Sequence, residues 1–391
     1  MKAKKGYTLR KFINDIHLWL GIGSGIIIFL VCLSGTILVF DKEIKAVFTE
    51  DIQFEESNLP PMDFDALKAS IAAEGLGELK SMTIDEEEDF HTASIQTGPE
   101  DRRGTSFLVH PQTGEVMAAP ESSASGFMMA MFRMHRWLLL DSAIGRPIVG
   151  VATIIFILLS ISGLVLWFPK KLRWKNLKSG FKIRTDASWK RVNHDLHNTL
   201  GFYSLILIII MCLTGLCWSF EGYRELASNV LGTKVFNRGG GPTYAALQLK
   251  DEEKVGLQEV YELTQIEFPY EGKISISLPS EENPVYSIRK YDSSSFSPVI
   301  ADNLVVNEAG EIEEKVIFSE KPMNEQVASL IKPIHLGEIY GTFSKVIYFI
   351  ACLIATSLPV TGTIIWLNKL KKKNKKKKKK SPSTRPQVMV D

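Results

Sequence analysis

Four stretches of the chain are almost free of charge, and the segments between them are polar. The apolar runs extend from about Ile16 to Phe40, Pro147 to Phe168, Leu200 to Phe220 and Val346 to Leu367. About 20 apolar residues cover the ~30 Å of hydrocarbon in a bilayer, so each run predicts a transmembrane helix. The first run is too long for a cleavable signal peptide, and Phe40-Asp41-Lys42 is no small-residue cleavage site. The chain therefore divides into transmembrane helices at 16–40, 146–168, 197–220 and 345–367. These separate an N-terminus (1–15), two long loops (41–145 and 221–344), a short basic loop (169–196) and a lysine-rich tail (368–391).

Each long loop reads as a small α/β module. In the first, Asp65 to Glu74 has a helical apolar side of Leu67, Ile71 and Leu76, and strand-like runs follow, ending in Phe107 to Val116. Proline and glycine in His110-Pro111-Gln112-Thr113-Gly114 predict a turn between two strands. The second loop repeats the order, with a helix at Leu257 to Ile266 and strands at Lys273 to Leu278 and Val285 to Tyr291. A strand-turn-strand at Leu304 to Ile312 closes it. Arg238-Gly239-Gly240-Gly241-Pro242 reads as a flexible linker.

Composition averages conceal this partition: 46 basic against 44 acidic residues give a net charge of only +2. The distribution is more informative. The N-terminus, the short loop and the tail hold 25 basic residues and four acidic ones (Asp15, Asp186, Asp195 and Asp391), which fixes the expected orientation. The long loops are acidic, with 20 acidic and 8 basic residues in 41–144 and 20 and 11 in 221–344. The positive-inside rule places both termini in the cytoplasm and both modules outside. An ordinary soluble enzyme, a collagen-like chain and a disordered chain are excluded. So is a soluble nucleic-acid binder: the Lys371 to Lys380 run reads as a solvated, disordered anchor at anionic headgroups. Cys32, Cys212, Cys217 and Cys352 all fall in apolar runs without a CxxC, which argues against a disulfide framework or structural zinc.

The chain is also a tandem duplication. His17-Leu18-Trp19-Leu20-Gly21 matches His197-Asn198-Thr199-Leu200-Gly201 at an offset of 180. Cys32 to Gly35 matches Cys212 to Gly215 at the same offset. Ser162-Gly163 with Trp167 corresponds to Thr361-Gly362 with Trp366 in the even spans. The unit of span, large loop, span occurs twice in one orientation.

His91 and His110 lie in the first loop and read as exposed strand or turn residues. The other five histidines sit at span ends. His17 and His197 begin the odd spans, and His135 and His335 precede the even ones. Ionisable residues at membrane depth are costly and usually functional. Neutral imidazoles facing one another across a bundle are what a six-coordinate haem iron requires. Gly21 and Gly201 follow their histidines on the same helix face and leave room for a flat macrocycle. Their alternative role is close helix packing. His194 corresponds to Asn14, so the duplicated ligand is assigned to His197. His194 is left to touch a propionate or substitute as ligand. Asp15 and Asp195 would orient imidazoles or stabilise helix starts. Arg133, Arg136 and Arg146 would pair with propionates or an anionic chelate, or anchor the interface.

Taken in order, His17-x-x-x-Gly21, Met134-His135-Arg136-Trp137, His194-Asp195-Leu196-His197-x-x-x-Gly201 and Ile334-His335-Leu336-Gly337 resemble the PepSY-associated transmembrane family of iron-regulated membrane proteins. His110 to Val116 looks like the end of a PepSY domain, and Asn307 to Glu311 is a weaker example. The resemblance implies a membrane α-helical fold, a four-helix dihaem bundle with two extracytoplasmic α/β PepSY-like modules. It implies two haem b groups, one between His17 and His197 and one between His135 and His335. Electrons would pass outward across the bacterial inner membrane to a periplasmic ferric siderophore or similar ferric chelate. Some relatives carry a fused reductase domain. Without one here, the donor would be a separate cytoplasmic reductase or a membrane quinol. The competing expectation is a membrane-anchored peptidase inhibitor or envelope sensor without redox activity.

Overall fold

A computed structural model describes residues 7–55, 57–101, 104–236 and 244–380. The Arg238 to Pro242 linker lies outside the described residues. The chain forms two compact units. One holds residues 1–41, 127–224 and 345–391, and the other holds 42–126 and 225–344.

The first unit contains four helices long and apolar enough to cross a membrane: Leu9–Leu38, Ser142–Trp167, Trp189–Ser219 and Gly341–Lys372. Their ends are set by polar groups. Thr8 caps the first span by accepting from the Lys11 amide, and Asp141 caps the second by accepting from the Ala143 amide. The last carbonyls of the second span would lack partners. The Arg10 guanidinium donates to Leu166 O (2.7 Å) and Phe168 O (2.8 Å) and thereby ties the first span to the end of the second. Trp167 stacks on Phe202 of the third span at 4.0 Å. Trp167 Nε1 and Thr199 Oγ1 both donate to Gly180 O, which pins the basic loop to the helices.

The third span is not a uniform helix. An α-helix at Trp189–Asp195 passes into a π turn at Leu196–Leu200 and resumes as α-helix at Gly201–Ser219. Pro359 is carried within the single fourth helix, Gly341–Lys380. That helix continues through the lysine run, where the sequence suggested disorder. Lysine is a good helix former, and a helix already nucleated by the span propagates readily.

The second unit holds one eight-stranded antiparallel sheet in the order β4-β3-β2-β1-β5-β6-β7-β8. The first long loop supplies β1 (Glu78–Ile84), β2 (His91–Gln96), β3 (Thr105–Val109) and β4 (Val116–Ala118). The second supplies β5 (Ile274–Ser277), β6 (Val285–Tyr291), β7 (Ala301–Asn307) and β8 (Ile312–Val316). The two predicted modules therefore share a single sheet. They join where β1 pairs with β5, from Ser81 opposite Ser277 to Ile84 opposite Ile274. Helices Phe64–Ala73 and Leu257–Glu267 bury Phe64, Leu67, Ile71, Leu257 and Val260 against Met82, Ala93, Ile95, Ile276, Ile288 and Leu304 of the sheet. Each helix caps the other. The Asp65 carboxylate accepts from the Leu257 and Gln258 amides at 2.7 and 3.2 Å, and Gln258 Oε1 accepts from the Phe64 amide at 3.1 Å. A Cβ at Gly256 would meet Asp65 Oδ2 at 2.2 Å, so this cap requires glycine.

His91 and His110 of this unit are not the exposed residues their positions suggested. His110 is buried, and its Nδ1 accepts from the Gln112 and Thr113 amides at 3.1 and 3.2 Å. It thus organises the His110 to Gly114 turn. His91 lies 5.7 Å from the Phe64 ring, with its Nδ1 buried and without a hydrogen-bond partner.

Candidate cofactor site

The duplicated histidines converge. The rings of His17 and His197 have centroids 6.4 Å apart and planes at 89°. Both line a cavity of about 490 Å³ within the first unit. Two imidazoles bonded in line to one metal at about 2.0–2.1 Å per bond bring their ring centres to about 6 Å. The observed spacing is close to that value.

Each histidine reaches the even span that follows it. His17 Nδ1 lies 2.9 Å from Ser162 Oγ, and His197 Nδ1 lies 2.9 Å from Thr361 Oγ1. The next residue in each even span is a glycine that lies against the ring. A Cβ at Gly163 would stand 3.4 Å from His17 Cε1, and one at Gly362 would stand 3.2 Å from His197 Cε1. Gly21 and Gly201, predicted to make room for a macrocycle, do line the cavity. A Cβ on them would meet Leu159 at 3.7 Å and Leu358 at 3.5 Å, so packing between spans uses the same positions.

His194 lines the cavity as well. Its ring is half exposed, and its Nδ1 is 3.6 Å from Asp195 Oδ1. Asp195 is committed elsewhere: it is buried and accepts from Arg191 Nε at 2.9 Å. Asp15 accepts from the Tyr7 hydroxyl at 2.9 Å. Neither acid supports His17 or His197; Ser162 and Thr361 are the partners instead. The sequence carried a signal for them, the matched Ser-Gly and Thr-Gly pairs of the even spans, but a hydroxyl in an apolar helix usually bonds back to its own backbone.

His135 and Arg136 lie in the last turn of helix Ser125–Trp137. His135 Nδ1 is 2.8 Å from Val31 O of the first span. A Cβ at Gly35 would stand 2.9 Å from His135 Cε1, so here too glycine admits an imidazole. The Arg136 guanidinium lies over the Phe132 and Trp137 rings at 5.4 and 5.3 Å. Arg133 is exposed, whereas Arg146 Nε is buried without a hydrogen-bond partner. Trp137 leads into a tight turn in which Leu138 and Leu139 take φ of 56° and 61°. Bulky residues rarely adopt this conformation. The fourth predicted ligand, His335, sits in the last turn of helix Met323–Leu336, which belongs to the second unit and ends at left-handed Gly337.

Four long apolar helices make this a multi-pass membrane protein whose surroundings are a lipid bilayer. The sequence matches the PepSY-associated TM region over residues 15–369, and the chain belongs to that family. No curated protein matches it.

Proposed function

We propose that the protein is a b-type dihaem membrane protein that carries electrons outward to a ferric chelate. The observation behind this reading is the His17–His197 pair, with rings 6.4 Å apart in a cavity that both line. Each ring rests on a glycine of the following span, and two side chains from the two sequence repeats meet there. Two facing imidazoles suit an iron whose remaining ligands come from a macrocycle. Haem held there supplies a one-electron redox centre. The repeat pattern of the sequence is what assigns a second haem to His135 and His335. The charge bias of the short segments supports a cytoplasmic position for the His17–His197 end, and the membrane in this reading is a bacterial inner membrane. A cytoplasmic reductase or a membrane quinol gives the electron, and a ferric siderophore or similar chelate takes it, passing from Fe(III) to Fe(II). On this reading Arg136, next to His135 in the sequence, neutralises carboxylates of the cofactor or the chelate.

The test is an optical spectrum of the purified, detergent-solubilised protein, oxidised and then dithionite-reduced, with haem quantified per chain. A b-type spectrum with about two haems per chain is expected from two bis-histidine sites. His135→Ala should lose one haem and abolish outward reduction of a ferric chelate in vesicles. Colourless protein from haem-replete cells would sink the reading.

A further inference from the structure

The hydroxyls beside the paired histidines each have a backbone carbonyl of their own helix within reach. Ser162 Oγ lies 2.7 Å from Leu158 O, and Thr361 Oγ1 lies 2.9 Å from Ser357 O, each one turn back along its own helix. A carbonyl only accepts, and in the arrangement in which both contacts of the oxygen are hydrogen bonds to different partners the hydroxyl proton points to it. The oxygen then meets the imidazole with lone pairs alone, and the proton of that contact must sit on histidine Nδ1. A neutral imidazole protonated at Nδ1 is bare at Nε2.

We propose that Ser162 and Thr361 are positioning residues that hold His17 and His197 in the Nδ1–H tautomer and present the Nε2 lone pairs to a metal. The neighbouring glycine completes each device: the hydroxyl aims the ring, and Gly163 or Gly362 admits its Cε1 edge. His135 obeys the same rule through a different acceptor, because Val31 O at 2.8 Å also requires the proton on Nδ1. Three histidines on three separate helical segments thus present the same nitrogen. An acceptor behind a ligating imidazole also raises its basicity, which favours the ferric state.

The role of these hydroxyls in tuning the iron rests on the haem reading, but the tautomer does not. Thr361→Val keeps the shape and removes the acceptor; Thr361→Ser keeps the acceptor. Ser162→Ala and Ser162→Thr make the same comparison in the other span. In redox titrations, the valine and alanine variants should keep their haem, while the midpoint potential of one haem rises. A tenfold weaker hold on the ferric state corresponds to about 59 mV for one electron. The serine and threonine variants should follow the parent protein. Equal potentials in Thr361→Val and Thr361→Ser would overturn the proposal. If the parent protein binds no haem, nitrogen-15 spectra of labelled histidines decide instead. His17 and His197 should then show Nδ1–H, with His197 losing that preference in Thr361→Val. Finding Nε2–H in the parent would overturn the proposal while leaving the haem question to its own test.

Discussion

His17 and His197 occupy matching positions in two repeats, yet their backbones differ. His17 lies in an unbroken α-helix from Leu9 to Leu38, whereas His197 lies in a π turn. Their outward contacts are nevertheless the same: a hydroxyl at 2.9 Å and a glycine beneath the ring. The side-chain geometry is held constant and the helix departs from regularity to deliver it. Such single π turns often mark functional sites. The irregular copy also has ties that the regular one lacks. Asn193 Nδ2 donates to Thr361 O at 3.0 Å, and Thr199 Oγ1 donates to Gly180 O at 2.9 Å. At the equivalent positions the first repeat has Ile13, which has no side-chain donor, and Trp19, which is exposed.

The strongest way to break the equivalence is to delete each ligand. His17→Ala and His197→Ala should each take the protein from about two haems per chain to about one, since both would serve a single iron. Pyridine haemochrome assay checks this, and a variant that keeps both haems would separate the two histidines. Next come the supporting glycines. Gly362→Val and Gly163→Val should each destabilise by about 1–3 kcal/mol through overpacking. The larger effect is expected at Gly362, where the imidazole stands closer, and denaturant titration of the two variants measures the difference. The ties of the π turn are weaker. Asn193→Leu should cost about 1 kcal/mol, the usual net worth of one hydrogen bond. Ile13→Asn in the other repeat should bring no matching gain, because no π turn there needs holding.

A pH-dependent test sharpens the contrast between partnered and unpartnered histidines. Burial pushes His91 down to about 4, and its Nδ1 lacks a partner. The unfolded chain therefore takes up a proton on this residue before the folded one does. Stability from neutral His91 is complete above the ordinary histidine range and falls as the pH drops from about 6.5 towards 4. Thermal unfolding across that window should show this loss in the parent and less of it in His91→Phe. An identical pH profile in the two proteins would contradict it.

Much of this was legible in the residue pattern, and the failures share a cause. The four spans announce themselves because the bilayer imposes one length and one chemistry on each. The His17–His197 pairing followed from the repeat, since duplicated segments place duplicated side chains together. Strand β6 was read from Val285 to Tyr291 without error. The pairing of β1 with β5 was not legible, because it joins segments almost two hundred residues apart. Ser162 and Thr361 were seen as matched letters but not as partners, because the contact runs between spans. His110 looked like an exposed turn residue. Its burial depends on its ring nitrogen organising that turn, which no hydropathy pattern reports.

The shared sheet also sets an order of events during synthesis. Strand β1 belongs to the first long loop, and its neighbour β5 is not made until the second and third spans have been completed. Until then the Glu78–Ile84 edge has open amides and carbonyls, with Leu79, Met82 and Ile84 awaiting their share of the core. An open strand edge is a template for pairing with other chains. The first loop waits as half a sheet until the chain has been made as far as β5.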